Sequence, residues 1–284
     1  MKKGLYPEVG TYYDEDAADF DSRYWMNPVL QQIRQSFREE VKSYPFKTML
    51  EVGCGTGIDL VHFGLTHPEV QVTGIDISAE MVRISRDKIA DSKLTNVQAF
   101  TATVEDCPAL FQDQQFDLIY VFFGALNTVE DLSVNAGILR RMLAPDGKLV
   151  VTFVNKWYLG GIFLEAIRLR FRRAIARLKP VWGGYSAVKY LPSRCYSPAE
   201  ILTAFSGFRT IRHHGYSILH PAWYFTGINR KLGRLRKILW KIDEMLTLTP
   251  LWRFGEYTLF SFEKADRAHQ HILRTGVSDI ISLP

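Results

Sequence analysis

Short apolar runs alternate with amphipathic helical segments along most of the chain. The runs are β-branched and aromatic, and this alternation is typical of a parallel sheet with crossover helices. The strands are predicted to start at Thr48 and to cover 71–75, 96–101, 116–122, 148–154, 208–214 and 256–263. A helix is predicted at about 134–143, ended by the turn Ala144-Pro145-Asp146-Gly147. The pattern predicts an α/β fold with a doubly wound, mostly parallel sheet of seven strands.

Two segments beside the sixth strand are both amphipathic and basic. Apolar positions recur at helical spacing in 162–179 and 228–246, and Arg and Lys occupy the other faces. The first half of the chain is net acidic, so the net charge of +5 arises from 155–241. Such helices can contact an anionic membrane surface or an acidic substrate. The commoner alternative is that their apolar stripes pack against the sheet and their charges face water.

Composition excludes several classes of protein. No apolar run reaches the roughly 18 residues needed to span a bilayer, and no apolar stretch follows the basic N-terminus as in a secretory signal. Cys54, Cys107 and Cys195 are widely separated, which predicts neither a disulfide framework nor a metal site. We therefore expect a cytoplasmic protein, with peripheral membrane contact as a second location; the sequence does not indicate an oligomeric state.

The segment Glu51-Val52-Gly53-Cys54-Gly55-Thr56-Gly57 follows the first strand directly. Three alternate glycines leave the inner side of a turn free of side chains, so the backbone can approach a nucleoside closely. A dinucleotide site would require a third glycine where Ile58 stands. Glu51 would repel a pyrophosphate but suits the ammonium end of an amino-acid-bearing nucleoside. These residues favour S-adenosylmethionine, with S-adenosylhomocysteine as product.

The glycine turn resembles the first motif of the class I S-adenosylmethionine-dependent methyltransferases of the small-molecule, type 11-like kind. Asp76 ends the second strand about 20 residues later, where such Rossmann-like folds place an acid for the ribose hydroxyls. The resemblance covers about 45–155 closely, and it extends more loosely to about 264. It implies that the loop after the third strand holds the adenine and that the residues after the fourth strand border the methionine part. The cofactor-binding residues so implied are Glu51, Gly53, Cys54, Gly55, Gly57, Asp76, Ile77, Met81, Thr103, Val104, Glu105, Phe122 and Phe123.

The segment 11–28 is rich in aromatic and acidic residues, and it resembles the opening segment that folds over the cofactor in these enzymes. Aromatic faces attract a sulfonium, so Tyr12 and Tyr13 are candidate contacts, and Arg23 is a candidate for the cofactor carboxylate. The resulting division is a lid at 1–44, a cofactor core at 45–154, a basic helical cap at 155–196, the rest of the sheet at 197–264 with a second basic insertion at about 222–250, and a tail at 265–284.

The sequence predicts methyl transfer by direct displacement to a small-molecule or lipid-like acceptor, at oxygen, nitrogen or carbon. His220 and His214 are candidate catalytic bases because they follow the sixth strand, although a structural histidine is the alternative for each. The fourth strand is not followed by an Asn-Pro-Pro-Tyr type motif, which argues against methylation of nucleic-acid bases. Two further alternatives stay open: a catalytically silent cofactor-binding or membrane-surface module, and an RNA methyltransferase whose basic patch binds phosphates.

Overall fold

The computed structural model describes residues 5–183 and 190–265. All seven predicted strands form, and they make one sheet. They are β1 Thr48–Val52, β2 Gln71–Asp76, β3 Val97–Thr101, β4 Phe116–Val121, β5 Leu143–Val154, β6 Phe208–Tyr216 and β7 Tyr257–Lys264. The order across the sheet is β3-β2-β1-β4-β5-β7-β6. Strands β1 to β5 pair in parallel, and β7 runs antiparallel to both β5 and β6. The predicted α/β fold with a mostly parallel sheet is confirmed.

Helices cover both faces of the sheet. They are α1 Leu5–Trp25, α2 Pro28–Lys42, α3 Ile58–Thr66, α4 Ala79–Asp91, α5 Cys107–Phe111, α6 Leu132–Met142, α7 Leu159–Ile167, α8 Phe171–Ala174, α9 Pro198–Ala204, α10 Thr226–Leu232 and α11 Leu235–Leu246. Short 3₁₀ turns occupy Ala125–Thr128, Ala176–Leu178 and Pro250–Phe254. Alternate strand residues are buried on opposite faces, so two apolar cores form, one containing Leu50 and Ile119 and the other Met49 and Leu118.

The chain order reverses between β1 and β4, because β1 lies between β2 and β4 in the sheet. A crevice opens outside the carboxyl ends of strands at such a switch point, and ligands of open α/β folds bind there. The glycine turn follows β1 at this place. The topology therefore puts the predicted nucleoside turn where a ligand site is expected.

Helix α6 differs in its bounds from the predicted helix at 134–143. Its start is set by Asp131, whose carboxylate accepts hydrogen bonds from the backbone amides of Ser133 at 2.8 Å and Val134 at 3.0 Å. The predicted turn 144–147 lies inside β5, at a point where the register with β4 shifts. This turn is an irregularity within a strand, not a separate connection between helix and strand.

The two basic segments are not continuous helices. Leu169 has a φ of 58° and separates α7 from α8, and Gly233 has a φ of 48° and separates α10 from α11. Part of the first apolar stripe faces water, since Ile167 is 64% exposed and Phe171 is 62% exposed. No helix among the described residues is long and apolar enough to cross a membrane. The division into lid, core, cap and tail stays a prediction, and 184–189 and 266–284 lie outside the described residues.

Candidate active site

The glycine turn has a backbone conformation that other residues resist. Gly53, Gly55 and Gly57 have φ values of 73°, 53° and 78°. A Cβ atom at Gly53 would lie 2.6 Å from the Cβ of Ala125, so no side chain fits there. The carbonyl of Ile75, near the end of β2, accepts hydrogen bonds from the amides of Gly53 at 2.8 Å and of the next residue at 3.0 Å. These contacts hold the bare backbone of the turn against the ends of β1 and β2.

A cavity of about 290 Å³ lies over this turn. Its floor is formed by the turn and by the residues that follow β2, β3 and β4, and its cover is formed by α1. One end is closed by Leu30 of α2, Trp223 and Tyr257. The residues of α1 that line the cavity are Tyr6, Val9, Tyr12, Tyr13, Asp16, Phe20, Arg23 and Tyr24. The cavity therefore runs from the strand ends of the sheet to an aromatic wall.

Asp76 is held against the turn by backbone hydrogen bonds. One carboxylate oxygen accepts from the amide of Gly55 at 2.8 Å, and the other accepts from the amide of Ser78 at 2.9 Å. Burial raises the pKa of Asp76 to about 6 in spite of these amides. The carboxylate lines the cavity and is ionised at neutral pH, so it can accept hydrogen bonds from the hydroxyls of a ribose.

Glu51 is a buried acid on β1 that also lines the cavity. Its carboxylate accepts a hydrogen bond from the hydroxyl of Tyr120 at 3.0 Å. Burial, with the nearby carboxylate of Asp59, raises the pKa of Glu51 well above its ordinary value. A cationic ligand beside this carboxyl would favour its ionised form, so the position is suited to an ammonium group.

Helix α1 is fastened over the cavity by polar contacts with distant parts of the chain. Asp14 accepts hydrogen bonds from the hydroxyl of Ser78 at 2.6 Å and from the amide of Glu80 at 3.0 Å, at the N-terminus of α4. Asp21 accepts from the hydroxyl of Thr56 at 2.5 Å and forms an ion pair with Lys88. The cover is therefore attached both to the glycine turn and to the helix after β2.

The aromatic end of the cavity contains a buried arginine. Arg34 of α2 lies with its guanidinium carbon 4.5 Å from the ring centroid of Tyr24 and 4.7 Å from that of Phe123. Phe123 has a φ of 51°, a conformation that non-glycine residues rarely adopt, and its ring lies 5.9 Å from that of Tyr257. Arg34 also forms an ion pair with Asp59, which has a second partner in Arg38.

Comparisons with known proteins agree with this geometry. The family model described as "Methyltransferase domain" matches residues 45–174. The ubiquinone/menaquinone biosynthesis C-methyltransferase UbiE of Geotalea daltonii is 30% identical over 233 residues, which are 78% of this chain and 95% of that protein. The UbiE protein of Citrifermentans bemidjiense is 28% identical over 58% of this chain and 72% of its own length.

The chain belongs to the class I S-adenosylmethionine-dependent methyltransferases.

Solved structures share the fold of this methyltransferase. A mycolic acid cyclopropane synthase complexed with S-adenosylhomocysteine has a TM-score of 0.58 at 18% identity, and the match covers 92% of this chain and 98% of that one. The S-adenosylhomocysteine complex of DhpI has a TM-score of 0.57 at 15% identity, over 94% of this chain and all of that one. The predicted cofactor, S-adenosylmethionine, is confirmed, and so is the predicted enzyme class.

Most of the predicted cofactor residues line this cavity of the methyltransferase. They are Tyr12, Tyr13, Arg23, Glu51, Gly53, Cys54, Gly55, Asp76, Ile77, Met81, Thr103, Val104, Phe122 and Phe123. Two others are not among its lining residues. Gly57 directly precedes α3 as its N-cap, where its missing side chain leaves room for Ser85. Glu105 accepts hydrogen bonds from Asn135 at 2.7 Å and from the hydroxyl of Tyr6, so it fastens α1 instead of facing the cavity.

The two histidines predicted as bases lie elsewhere in the methyltransferase. His214 is on β6, the edge strand, and burial lowers its pKa to about 4. His220 is buried, its Nδ1 donates to the carbonyl of Pro221 at 2.8 Å, and its ring packs on Trp240. Neither is among the described residues that line the cavity. Their placement matches the structural alternative.

Sequence reasoning missed the residues that close the aromatic end. Tyr24 and Arg34 come from helices, Trp223 comes from the segment before α10, and Tyr257 begins β7. No local motif marks them. The one available signal was the helical spacing of Leu30 and Arg34, which places both on the same face of α2.

Proposed function

We propose that this methyltransferase transfers the methyl group of S-adenosylmethionine to a small, apolar, lipid-like acceptor at the aromatic end of the cavity. The observation that carries the proposal is the wall of Tyr24, Phe122, Phe123, Trp223 and Tyr257 beyond the cofactor turn. The relatives named for ubiquinone and menaquinone biosynthesis support an acceptor of this class. Apolar pockets with a few placed polar groups are typical of small-molecule sites.

The cofactor residues are proposed to act as follows. The backbone of Gly53 and Gly55 passes under the nucleoside, Asp76 accepts from the ribose hydroxyls, and Glu51 meets the ammonium group. Thr103 and Val104 border the adenine, and Arg23 of α1 meets the carboxylate. The cofactor supplies a methyl group on a cationic sulfur. The protein chiefly aligns the acceptor with that carbon and excludes water.

Two experiments test this function, one for cofactor binding and one for the class of acceptor. Calorimetric titration with S-adenosylhomocysteine should give saturable binding. Incubation with radiolabelled S-adenosylmethionine should then label a short-chain demethylmenaquinol, but not a polar acceptor such as glycine or histamine. Saturable cofactor binding with label transferred only to polar acceptors would contradict the proposed acceptor class. Failure to bind the cofactor at millimolar concentration would contradict the cofactor assignment itself.

We also propose that α7 and α8 contact an anionic membrane surface, from which a lipid-like acceptor could be drawn. Phe163 is 65% exposed and Leu169 is 77% exposed, and Leu169 lies among four arginines between 168 and 173. Exposed apolar side chains beside basic ones are typical of interfacial segments. The guanidinium of Arg168 lies 5.2 Å from the ring of Phe225, two residues after cavity-lining Trp223.

Sedimentation with lipid vesicles tests this contact. The protein should sediment with vesicles containing phosphatidylglycerol at low salt and much less with pure phosphatidylcholine. The double variant Phe163→Ser and Leu169→Ser should lose most of this binding. A matched control is Leu248→Ser, since Leu248 is 87% exposed but follows α11. Equal recovery with neutral and anionic vesicles would contradict the contact.

A further inference from the structure

The aromatic end of the cavity holds a cation that its surroundings do not fully satisfy. Arg34 is only 7% exposed and lines the cavity, and its Nε atom has no hydrogen-bond partner among the described residues. Its one described ion pair uses Nη1, which binds Asp59. A buried guanidinium normally uses its planar set of donors on carboxylates or other acceptors. Donor capacity at Arg34 is therefore left for a ligand.

The charges around Arg34 are unbalanced. Asp59 is completely buried and lies between two guanidinium groups, those of Arg34 and Arg38, so the three side chains carry one net positive charge. Glu51 also lies nearby, but burial keeps its pKa high, and we assign it to the cofactor's ammonium. A buried excess charge is costly unless a counter-ion reaches it. Such an anion can reach Arg34 from the cavity, which Arg34 lines.

Arg34 borders two of the proposed cofactor residues, Phe123 and Glu51, but it is carried by a different wall of the cavity. Its guanidinium lies between the rings of Tyr24 and Phe123, and Leu30 lines the cavity one helical turn earlier. Asn27, which caps α2, donates a hydrogen bond to the carbonyl of Trp223 at 3.2 Å. Arg34 therefore belongs to the wall made by α2 and the segment before α10. The glycine turn and Asp76 lie at the strand ends instead.

We infer that Arg34 determines acceptor specificity by binding an anionic oxygen, such as a phenolate or carboxylate, carried on an apolar acceptor. This inference rests on the proposed function and deepens it. An acceptor that binds as the anion is already deprotonated, so its nucleophilic electron pair is available for attack. That pair forms the bond to the methyl carbon, and the pair of the broken carbon–sulfur bond stays on sulfur. No histidine is then needed at the cavity, in agreement with the placement of His214 and His220.

Two fluorescent probes with one skeleton test the inference. The anion 8-anilinonaphthalene-1-sulfonate and the neutral N-phenyl-1-naphthylamine differ only in the sulfonate, and both are titrated with S-adenosylhomocysteine present at saturation. Arg34→Met should lower the affinity for the anionic probe by about tenfold or more, since a charged hydrogen bond contributes roughly 1.5–3 kcal/mol. The affinities for the neutral probe and for S-adenosylhomocysteine should change less than about twofold. Arg34→Lys should restore part of the lost affinity for the anionic probe.

Arg38→Met is the matched control. Arg38 pairs with the same carboxylate of Asp59 but is not among the lining residues, so its loss removes a similar ion pair without changing the cavity. We expect the preference for the anionic probe to survive in this variant, and circular dichroism checks that each variant is folded. Displacement by 1-naphthoate or by 1-naphthol then distinguishes a carboxylate from a phenol.

The outcomes are separable. If the wild-type protein binds both probes equally, or if Arg34→Met leaves the anionic probe unchanged, the inference is wrong while the apolar site stands. If Arg34→Met weakens binding of S-adenosylhomocysteine as strongly as binding of the anionic probe, Arg34 binds the cofactor and the inference is again wrong. If neither probe binds the wild-type protein, the proposed apolar acceptor site fails, and the inference fails with it.

Discussion

The two ends of the cavity are built in different ways. At the cofactor end, the shape is made by backbone: a glycine turn with positive φ at three positions, and amides that hold Asp76. At the aromatic end, which we propose to be the acceptor end, the shape is made by side chains from α1, α2, β7 and the segment before α10. A cofactor that never changes is recognised by rigid backbone. The acceptor site that we propose is instead built from side chains, which can be exchanged without disturbing the sheet.

The two ends also differ in their excess buried charge, since the single carboxylate of Asp59 is shared by two arginines at the aromatic end. Glu51 and Asp76 are acids at the cofactor end, where an ammonium and ribose hydroxyls are expected. Arg34 lies at the aromatic end, and Arg177 is buried in the 3₁₀ turn after α8, where it binds Glu256 at 3.0 Å. If this comparison is correct, loss of an acid should change cofactor affinity, and loss of a buried arginine should leave it unchanged.

The largest loss of cofactor affinity is expected at Asp76. Asp76→Asn should lower the affinity for S-adenosylhomocysteine by about 10- to 100-fold, because one or two charge-assisted hydrogen bonds to the ribose are lost. Isothermal titration calorimetry at pH 7.5 measures the change. Asp87→Asn, on the exposed face of α4, is the control and should bind normally. Normal binding by Asp76→Asn would mean that the ribose lies elsewhere.

Asp76 also predicts a pH dependence. Burial raises its pKa to about 6, so its ionised form, which accepts two hydrogen bonds, is lost as the pH falls through that value. Cofactor affinity should therefore rise with pH through about 6 and level off above it. Stability of the unliganded protein should change in the opposite sense, falling as pH rises from the unfolded pKa near 3.9 to about 6, because the folded state binds the proton more tightly. Asp76→Asn should remove both changes.

A smaller loss, about tenfold, is expected for Glu51→Gln, which removes one charge partner of the ammonium. The raised pKa of Glu51 adds a second readout, because an ammonium bound beside this carboxyl should displace its proton. Titrations of S-adenosylhomocysteine in phosphate and in Tris, which differ in ionisation enthalpy, measure the proton released. The wild-type protein should release a proton that Glu51→Gln does not. Equal release by both proteins would remove Glu51 from the ammonium site.

The same contrast explains what the sequence could predict. The strands and the cofactor turn were predictable because their signals are local: apolar runs, three alternate glycines, and Asp76 at the end of an apolar run. Arg34 and Trp223 were not predictable, because tertiary packing brings them to the cavity from distant positions. His214 and His220 were chosen by residue type after the sixth strand, but that strand lies at the sheet edge, beyond β7. Arg177 was predicted on the polar side of an amphipathic helix at 162–179 but is buried, because that helix is interrupted and Arg177 lies in the 3₁₀ turn Ala176–Leu178.

A change of only a few-fold is expected at the cover of the cavity. Asp21→Asn keeps an acceptor for Thr56 but loses the ion pair with Lys88, which is partly exposed and contributes about 0.2–1 kcal/mol. Stopped-flow displacement should show S-adenosylhomocysteine leaving about two- to fivefold faster, because α1 opens more readily. Asp19→Asn, exposed on the same helix, should leave the rate unchanged. If both variants release the ligand at the wild-type rate, α1 does not limit its escape.

The smallest effect on cofactor affinity is expected at Arg177, although its effect on stability is large. Its guanidinium binds Glu256 and the hydroxyl of Tyr224 and packs over Trp182, so it fastens the segment after α8 to the start of β7. Arg177→Met leaves the carboxylate of Glu256 buried without its cation, which should cost about 3–5 kcal/mol in urea unfolding. Adding Glu256→Gln should recover part of that loss, because the uncompensated charge is removed.

Affinity of folded Arg177→Met for S-adenosylhomocysteine should stay within about twofold of the wild-type value. Hydrogen exchange of residues 155–183 should rise, since this segment loses its attachment to Glu256, while exchange at the glycine turn stays slow. If cofactor affinity instead fell together with protection of this segment, the two ends of the cavity would be one cooperative unit. The contrast between a backbone-built cofactor end and a side-chain-built acceptor end would then describe how the site is constructed, but not how it responds to binding.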